Sequence, residues 1–220
     1  ADTITGNGNT RISYSSATGG VTVNFSTHTV TGDGSVGTDA FSGVFSVQGS
    51  NFDDTYVFGS GDGSYVITNF VAGAGSPDKI DLTGVAGIYS LADVLAVATQ
   101  NGANTGINFG ADAITLQNVT LGNLHADDFI FANPAPTDIS LSGTTIAENS
   151  TNGTVIGTLS TTDPGDTATF SFVSNPGGLF AIDGNNLVVA GGLDYETAQS
   201  HSVTVRVTDS ANNTFDEVFT

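Results

Sequence analysis

Acidic side chains are the most abundant chemically active groups in this sequence. The chain contains 22 Asp and Glu residues but only 3 Lys and Arg, so its formal net charge at pH 7 is −19. A compact body with this charge repels itself, and a divalent cation such as calcium, which binds carboxylate and carbonyl oxygens, neutralises the repulsion. The sequence has no cysteine, which excludes disulfides and thiolate metal sites. The composition therefore predicts a divalent cation bound through oxygen ligands.

The shortage of positive charge excludes several classes of function. A total of 3 Lys and Arg residues cannot line a phosphate-binding groove, so we predict no nucleic-acid binding. No apolar run is long enough to cross a bilayer, so we predict no membrane insertion. The sequence lacks an HExxH motif, and metal-ligand spacing is missing at the histidines, His28, His125 and His201. We therefore predict no catalytic site.

The first part of the chain repeats a degenerate nonapeptide pattern. Small residues occupy its first, second and fourth positions, an acid its sixth position and an apolar residue its eighth. The pattern fits residues 34–42, 49–57 and 73–81, except that Phe52 takes the fourth position of the second copy. Its acidic position is taken in these copies by Asp39, Asp54 and Asp78. Because glycine permits a left-handed turn and the apolar residue begins an inward-pointing strand, the pattern predicts a β-solenoid.

One helix is predicted after the repeats. Ser90 is a suitable N-cap, because a serine hydroxyl at this position accepts a hydrogen bond from the backbone at Asp93. The apolar residues that share one face of this helix are Leu91, Val94, Leu95 and Ala98. We expect the helix to end at Asn101-Gly102 and to be followed by short strands.

The composition changes at residues 133–137, Asn-Pro-Ala-Pro-Thr, which we interpret as a stiff connector. It separates a glycine-rich first domain, residues 1–132, from a second domain, residues 138–220. The second domain has short runs of alternating apolar and polar residues, which predict an antiparallel β-sandwich. Turn sequences separate these runs at residues 163–166, 175–178 and 183–186. We expect the last strand to be cut short at Thr220.

The first domain resembles degenerate repeats-in-toxin, or hemolysin-type, calcium-binding repeats. The resemblance lies in the nonapeptide copies and in the segments that follow them, 78–82, 90–95, 113–116 and 127–131, which resemble the cap of such repeats. It implies a β-roll in which calcium lies between glycine-rich turns, with Asp39, Asp54 and Asp78 as ligands. The alternative is that these aspartates only close their turns by hydrogen bonding to the backbone.

The second domain resembles a bacterial cadherin-like repeat. The matching segments are 147–149, 155–159, 180–182, 193–197 and 205–209. The resemblance implies calcium at both ends of the domain, with two sets of ligands. One set is Glu148, Asp194 and Glu196; the other is Asp163, Asp209 and Asn133, with Asp166 standing in for an acid that the family has at Gly165. The alternative is a solvated acidic rim at each end.

Together these features predict an all-β chain: a short parallel β-roll or solenoid with one capping helix, followed by a cadherin-like, immunoglobulin-like antiparallel β-sandwich. The expected function is a non-catalytic, calcium-dependent structural or adhesion segment of a larger secreted or cell-surface bacterial protein, located outside the cell. Its partners would be neighbouring repeats of the same protein or a second copy. Two alternatives remain open: a module that binds an extracellular polysaccharide, and a self-assembling filament subunit.

Overall fold

The computed structural model describes residues 1–163 and 166–220. These residues form two compact units, Ala1–Ala132 (unit 1) and Asn133–Thr220 (unit 2). Both units are built almost entirely from β-strands. No helix in this part of the chain has the length and hydropathy that crossing a bilayer would require.

Unit 1 contains eleven strands and one α-helix. Its strands are β1 (Thr3–Ser13), β2 (Thr22–Asn24), β3 (Thr29–Thr31), β4 (Thr38–Gln48), β5 (Thr55–Gly59), β6 (Ser64–Ile67), β7 (Lys79–Gly84), β8 (Ala98–Asn101), β9 (Asn104–Phe109), β10 (Asp112–Leu116) and β11 (Phe129–Ile130). The helix, α1, is Leu91–Val97. Most strands are short, and several of them, including β3, β5, β8 and β9, are followed by a turn that contains a glycine with positive φ.

The strands of unit 1 form two parallel ladders, and the chain adds strands to the two ladders in turn. In one ladder β1, β4, β6 and β10 pair side by side, and in the other β2, β5, β7 and β11 do so. Strand β3 pairs antiparallel with both β2 and β4 and so joins the ladders. A chain that alternates between two parallel ladders is a β-roll, in which each turn stacks on the turn before it.

Columns of apolar side chains fill the interior of the roll. In one ladder the aligned residues Val23, Tyr56, Ile80 and Phe129 are all buried, and in the other Ile12, Val47, Ile67 and Leu116 are buried. Aromatic rings add to this core: the Phe25 ring stacks on the Tyr65 ring with centroids 4.2 Å apart. The apolar eighth position of each nonapeptide therefore faces inward, as the pattern predicts.

The helix begins where the sequence predicts it and ends earlier. The Ser90 side chain accepts a hydrogen bond from the Asp93 N–H, so the predicted N-cap is confirmed. The prediction that the helix continues to Asn101-Gly102 is wrong, because residues Ala98–Asn101 form β8 and pair antiparallel with β9. Gly102, with φ of 62°, supplies the left-handed turn of this β8–β9 hairpin. Hydrogen bonding to a neighbouring strand thus outweighs the helical pattern here.

Unit 2 is an antiparallel sandwich. Its strands are β12 (Ile139–Leu141), β13 (Val155–Thr161), β14 (Thr169–Ser174), β15 (Phe180–Asp183), β16 (Asn186–Val189), β17 (Val203–Thr208) and β18 (Thr214–Phe219). One sheet has the order β12-β13-β16-β15 and the other β14-β17-β18. Side chains from both sheets, including Leu159 and Val205, pack into one core. The predicted fold class, all-β with a parallel roll and an antiparallel sandwich, is confirmed.

Replacing Phe25 by alanine should test the aromatic core of the roll. Phe25 is fully buried, and removing a buried phenylalanine ring lowers the free energy of unfolding by about 3–5 kcal/mol. Phe45, which is 45% exposed, is the matched control, and Phe45→Ala should change stability by less than about 1 kcal/mol. Urea unfolding followed by circular dichroism measures both. Equal losses in the two variants would contradict this description of the core.

Candidate functional site

Two buried aspartates of unit 1 lie just before the strands of one ladder and accept hydrogen bonds from backbone N–H groups. The Asp54 carboxylate accepts bonds from the Val21 N–H at 2.9 Å, the Ser50 N–H at 2.7 Å and the Ser50 hydroxyl at 2.6 Å. One turn further, the Asp78 carboxylate accepts bonds from the Asp54 N–H at 3.0 Å and the Val71 N–H at 2.9 Å. Each carboxylate therefore ties its own turn to the turn before it.

The same arrangement recurs in the other ladder. The Asp39 carboxylate accepts a bond from the Asp2 N–H at 2.7 Å, and Asp112 accepts bonds from the N–H groups of Gly61 and Gly63, both at 2.8 Å. Gly61 and Gly63 have φ values of 94° and 88°, a left-handed backbone that aims both N–H groups at one carboxylate. These two bonds hold the pKa of Asp112 below its ordinary value.

These hydrogen bonds bear directly on the calcium ligands predicted for the roll. Every carboxylate oxygen of Asp54 and Asp78 already accepts at least one hydrogen bond from an N–H or O–H donor. Burial raises the pKa of Asp78, and the charges of Asp54 and Asp53 act in the same direction. In unit 1 the structure therefore favours the alternative role, in which Asp39, Asp54 and Asp78 hold turns together, and calcium at these residues stays a prediction.

In unit 2, three aspartates come together beyond the ends of two strands. Asp163 follows β13 and Asp209 follows β17, and Asp166 lies beside both; we call these three residues the Asp163 cluster. Each offers a carboxylate oxygen, and the three oxygens lie within 4.8 Å of one another. Carboxylates at this separation repel strongly unless hydrogen bonds or a cation compensate them.

Two members of the Asp163 cluster are compensated by hydrogen bonds. Asp166 accepts bonds from the Ser210 hydroxyl at 2.6 Å, the Ser210 N–H at 2.8 Å and the Asn133 amide at 2.9 Å. These bonds hold the pKa of Asp166 well below its ordinary value. Asp209, which is 5% exposed, accepts bonds from the Asn213 N–H at 2.7 Å and the Asn213 amide at 2.8 Å. These hydrogen bonds therefore hold both aspartates in place, and they favour the ionised form of Asp166.

The third member, Asp163, has no such compensation. Both of its carboxylate oxygens are inaccessible to solvent and neither has a hydrogen-bond partner among the described residues. Burial raises the pKa of Asp163, and the charges of Asp166 and Asp209 raise it further. Leaving a buried charge without a partner is costly, so this position requires either a proton or a cation.

A second acidic group, the Glu148 cluster, consists of Glu148, Asp194 and Glu196. Its ligand oxygens also lie within 4.8 Å of one another, but all three residues are exposed. The Tyr195 N–H donates to Glu148 at 3.2 Å, and the Thr197 hydroxyl donates to Asp194 at 2.6 Å, which lowers the pKa of Asp194. Hydrogen bonds and solvent already satisfy much of this cluster.

The two clusters lie at opposite ends of the sandwich. Strands β13 and β16 are antiparallel, with Val155 opposite Val188 and Thr158 opposite Asn186. Asp163 follows the C-terminal end of β13, and Asp194 follows the C-terminal end of β16. Because the two strands are antiparallel, these residues lie at opposite ends of the strand pair. The structure thus brings each predicted ligand set of unit 2 together at its own end of the sandwich.

Some contributors to the Asp163 cluster were not predicted from the sequence. Ser210 and Asn213 orient Asp166 and Asp209, and the only sequence signal for them is the polar run that follows Asp209. Asn133, predicted as a ligand, contacts the cluster by donating its amide N–H to Asp166. The predicted turn at 163–166 and the departure from the family at Gly165 involve Pro164 and Gly165, which lie outside the described residues.

Comparison with known proteins finds a family match in unit 2. Residues 143–218 match the family model described as Cadherin domain. None of the curated proteins compared with the chain is similar to it in sequence.

Several solved structures resemble parts of the chain weakly. The extracellular lipase LipA from Serratia marcescens is 24% identical over 42% of this chain and 14% of the lipase, with a TM-score of 0.35. The protocadherin fragment PcdhgB3 EC1-4 is 18% identical over 53% of this chain and 29% of that fragment, also with a TM-score of 0.35. Protocadherin Gamma C5 EC1-3 is 16% identical over 53% of this chain and 39% of that fragment, with a TM-score of 0.34. The chain therefore spans well under half of each of these structures, and TM-scores this low support no conclusion about function.

The hydrogen-bonding role of Asp54 can be tested against its neighbour in the sequence. Asp54→Ala leaves the buried Val21 and Ser50 N–H groups without partners, which should lower the free energy of unfolding by about 2–5 kcal/mol. Asp53 is exposed, and Asp53→Ala should change stability by less than about 0.5 kcal/mol. Urea unfolding in excess chelator measures both variants, and amide exchange at Val21 reports the local effect. A loss for Asp54→Ala that appears only with calcium present would contradict the hydrogen-bonding role.

Proposed function

We propose that this chain is a calcium-dependent structural or adhesion segment of an extracellular protein, in which the Asp163 cluster binds calcium. The match of residues 143–218 to the cadherin domain family supports an extracellular, adhesion-type role for unit 2. The observation that carries the calcium site is the pair of buried, unpartnered Asp163 oxygens beside two further carboxylates.

The chemistry of the cluster suits calcium better than other common ions. All of its side-chain ligands are carboxylate oxygens, and the sequence has no cysteine that would select a softer metal. Calcium usually binds six to eight oxygens, and the three carboxylates of the cluster supply only part of this number. Because calcium accepts irregular geometry, backbone carbonyls and water can supply the rest. Asp163 and Asp209 would be direct ligands, and Asn133 would position Asp166 through its hydrogen bond.

The expected consequence of binding is mechanical. Three carboxylates held close together destabilise the end of the sandwich when no cation is present. Calcium would convert this repulsion into attraction and fix the loops that carry Asp163, Asp166 and Asp209. A cadherin-like repeat whose ends are stiffened in this way transmits force to the repeats on either side. Such neighbouring repeats of the same protein, or a second copy, are therefore the partners that we propose.

We also propose that the first domain, residues 1–132, is a degenerate repeats-in-toxin β-roll with its cap, joined to the sandwich by residues 133–137. The alternating parallel ladders and the glycine turns support this assignment. Because hydrogen bonds engage Asp54 and Asp78, the roll would be held mainly by its apolar columns and its backbone. A secreted bacterial origin belongs to the same proposal and rests on the resemblance of the repeats.

Calcium titration of Asp163→Asn is the direct test of the proposed site. The chelator-stripped wild-type chain should bind calcium with a dissociation constant of about 10⁻⁴–10⁻³ M and should gain stability with added calcium. Asp163→Asn should weaken this binding at least about ten-fold. In excess chelator the same variant should be more stable than wild type, because it removes an uncompensated buried charge.

Asp183→Asn is the matched control for this titration, because Asp183 is exposed in β15 and belongs to neither acidic cluster. It removes the same charge and should leave calcium binding and chelator-treated stability nearly unchanged. Isothermal titration and thermal unfolding measure both quantities. Wild-type melting that does not respond to calcium would overturn the proposed function and leave the acidic groups as solvated rims.

Calcium binding should also depend on pH in the mildly acidic range. The pKa of Asp163 is raised above its ordinary value of 3.8, so Asp163 takes up a proton while Asp166, with its lowered pKa, stays ionised. Calcium affinity should therefore fall as the pH drops through the raised pKa of Asp163. Without calcium the sign reverses: the stability that protonated Asp163 contributes is complete below pH 3.8 and is lost as the pH rises through its raised pKa. Titrations between pH 7 and pH 4 measure the first effect, and an affinity that is constant across this range would contradict it.

A further inference from the structure

A groove in unit 1 combines exposed apolar walls with acidic groups. Its volume is about 260 Å³, and it lies between the turn that carries Phe52 and the turn that carries Pro77. The Phe52 ring is 50% exposed and Val71 is 52% exposed. Exposed apolar side chains that line a concave surface are typical of a binding site. We call this feature the Phe52 groove.

The side-chain hydrogen-bond donors in the Phe52 groove are already engaged. The Asn69 amide N–H donates to the Ser50 carbonyl at 2.8 Å, and the Asn51 amide N–H donates to the Ser15 carbonyl at 2.9 Å. The Ser50 hydroxyl donates to Asp54 at 2.6 Å. Pro77 has no backbone N–H. Among the side-chain donors described in the groove, a ligand would therefore find only the second N–H of the Asn51 and Asn69 amides.

One acceptor group in the groove, the Asp53 carboxylate, is in the opposite situation. Asp53 is exposed, and its carboxylate forms no hydrogen bond with the described residues of the chain. Asp78 also lines the groove, but both oxygens of its carboxylate already accept hydrogen bonds, from the Asp54 N–H and the Val71 N–H. Asp53 therefore offers the groove a negative charge and acceptor atoms, and the exposed Phe52 ring lines the same groove. This combination selects a ligand that carries a positive charge on an apolar body.

We propose that the Phe52 groove binds a lysine or arginine side chain of a basic partner protein. The apolar stem of the side chain would lie against Phe52 and Val71, and its charged end would reach Asp53 and the face of the Phe52 ring. A neutral sugar fits less well, because its hydroxyl groups need donors as well as acceptors. This binding is independent of the calcium site in unit 2.

A second copy of this chain is a poor source of such a side chain. The chain has only 3 Lys and Arg residues, and each forms hydrogen bonds within its own unit. Arg11 donates to Gln48, Lys79 donates to the backbone carbonyls of Ser76 and Asp127, and Arg206 donates to both oxygens of Asp216. The net charges of two copies, −19 each, also repel. The partner is therefore expected to be a different and basic protein.

The test uses a peptide with one lysine flanked by glycines and a control peptide with norleucine in place of that lysine. Binding to the full chain is followed by NMR chemical shifts in excess chelator, which removes any contribution from calcium. The lysine peptide should shift the signals of Phe52, Val71 and their neighbours, and the norleucine peptide should bind at least about three-fold more weakly. Phe52→Ala and Asp53→Asn should each weaken lysine binding roughly three- to ten-fold.

Two control variants distinguish the groove from general attraction to an acidic surface. Phe45→Ala removes a similarly exposed ring elsewhere on the roll, and Asp183→Asn removes one charge from the other unit. Both should leave lysine-peptide binding unchanged, and circular dichroism should show that all four variants are folded. Equal loss in the controls, equal binding of the norleucine peptide, or shifts at Phe52 with a neutral disaccharide in place of the lysine peptide would each overturn the proposal.

Discussion

The structure depends on how a chain with 22 acidic residues and only 3 Lys and Arg residues compensates the carboxylates that it buries. Salt bridges cannot do so, because there are too few cations. Buried carboxylates therefore need hydrogen-bond donors, a proton or a bound metal ion. Hydrogen bonds compensate the buried aspartates Asp54 and Asp78 of the roll, and these residues hold the fold together. In the sandwich, Asp163 needs a proton or a metal ion, and it is therefore available for binding.

In the roll, most of the donors to Asp54 and Asp78 are backbone N–H groups. Asp54 and Asp78 each accept bonds from the preceding turn, so these carboxylates become part of the stacking between turns. In the sandwich, backbone and side-chain donors compensate Asp166 and Asp209, whereas Asp163 accepts no hydrogen bond from the described residues. One buried carboxylate without a partner, placed beside two others, makes this end of the sandwich the position where an added cation would stabilise the protein most.

Much of the fold could be predicted from the sequence, because its signals are local. The nonapeptide glycines, the inward apolar positions and the Ser90 N-cap each depend on neighbours in the chain. The end of the helix could not be predicted, because Ala98–Asn101 pairs with a strand whose position is set by tertiary structure. The ligand sets of unit 2 could be grouped by resemblance. Whether Asp54 is free or engaged depends on the register with Val21, which no single-sequence pattern contains.

The most direct test of this division is an NMR titration of the calcium-free chain with calcium, following backbone amide signals. The amides of Ser210 and Asn213, which donate to the Asp163 cluster, should shift in proportion to bound calcium. The amides of Val21 and Gly63, which donate to Asp54 and Asp112, should stay in place. Shifts at Val21 and Gly63 with none at Ser210 and Asn213 would contradict the account, because calcium would then bind the roll and not the sandwich.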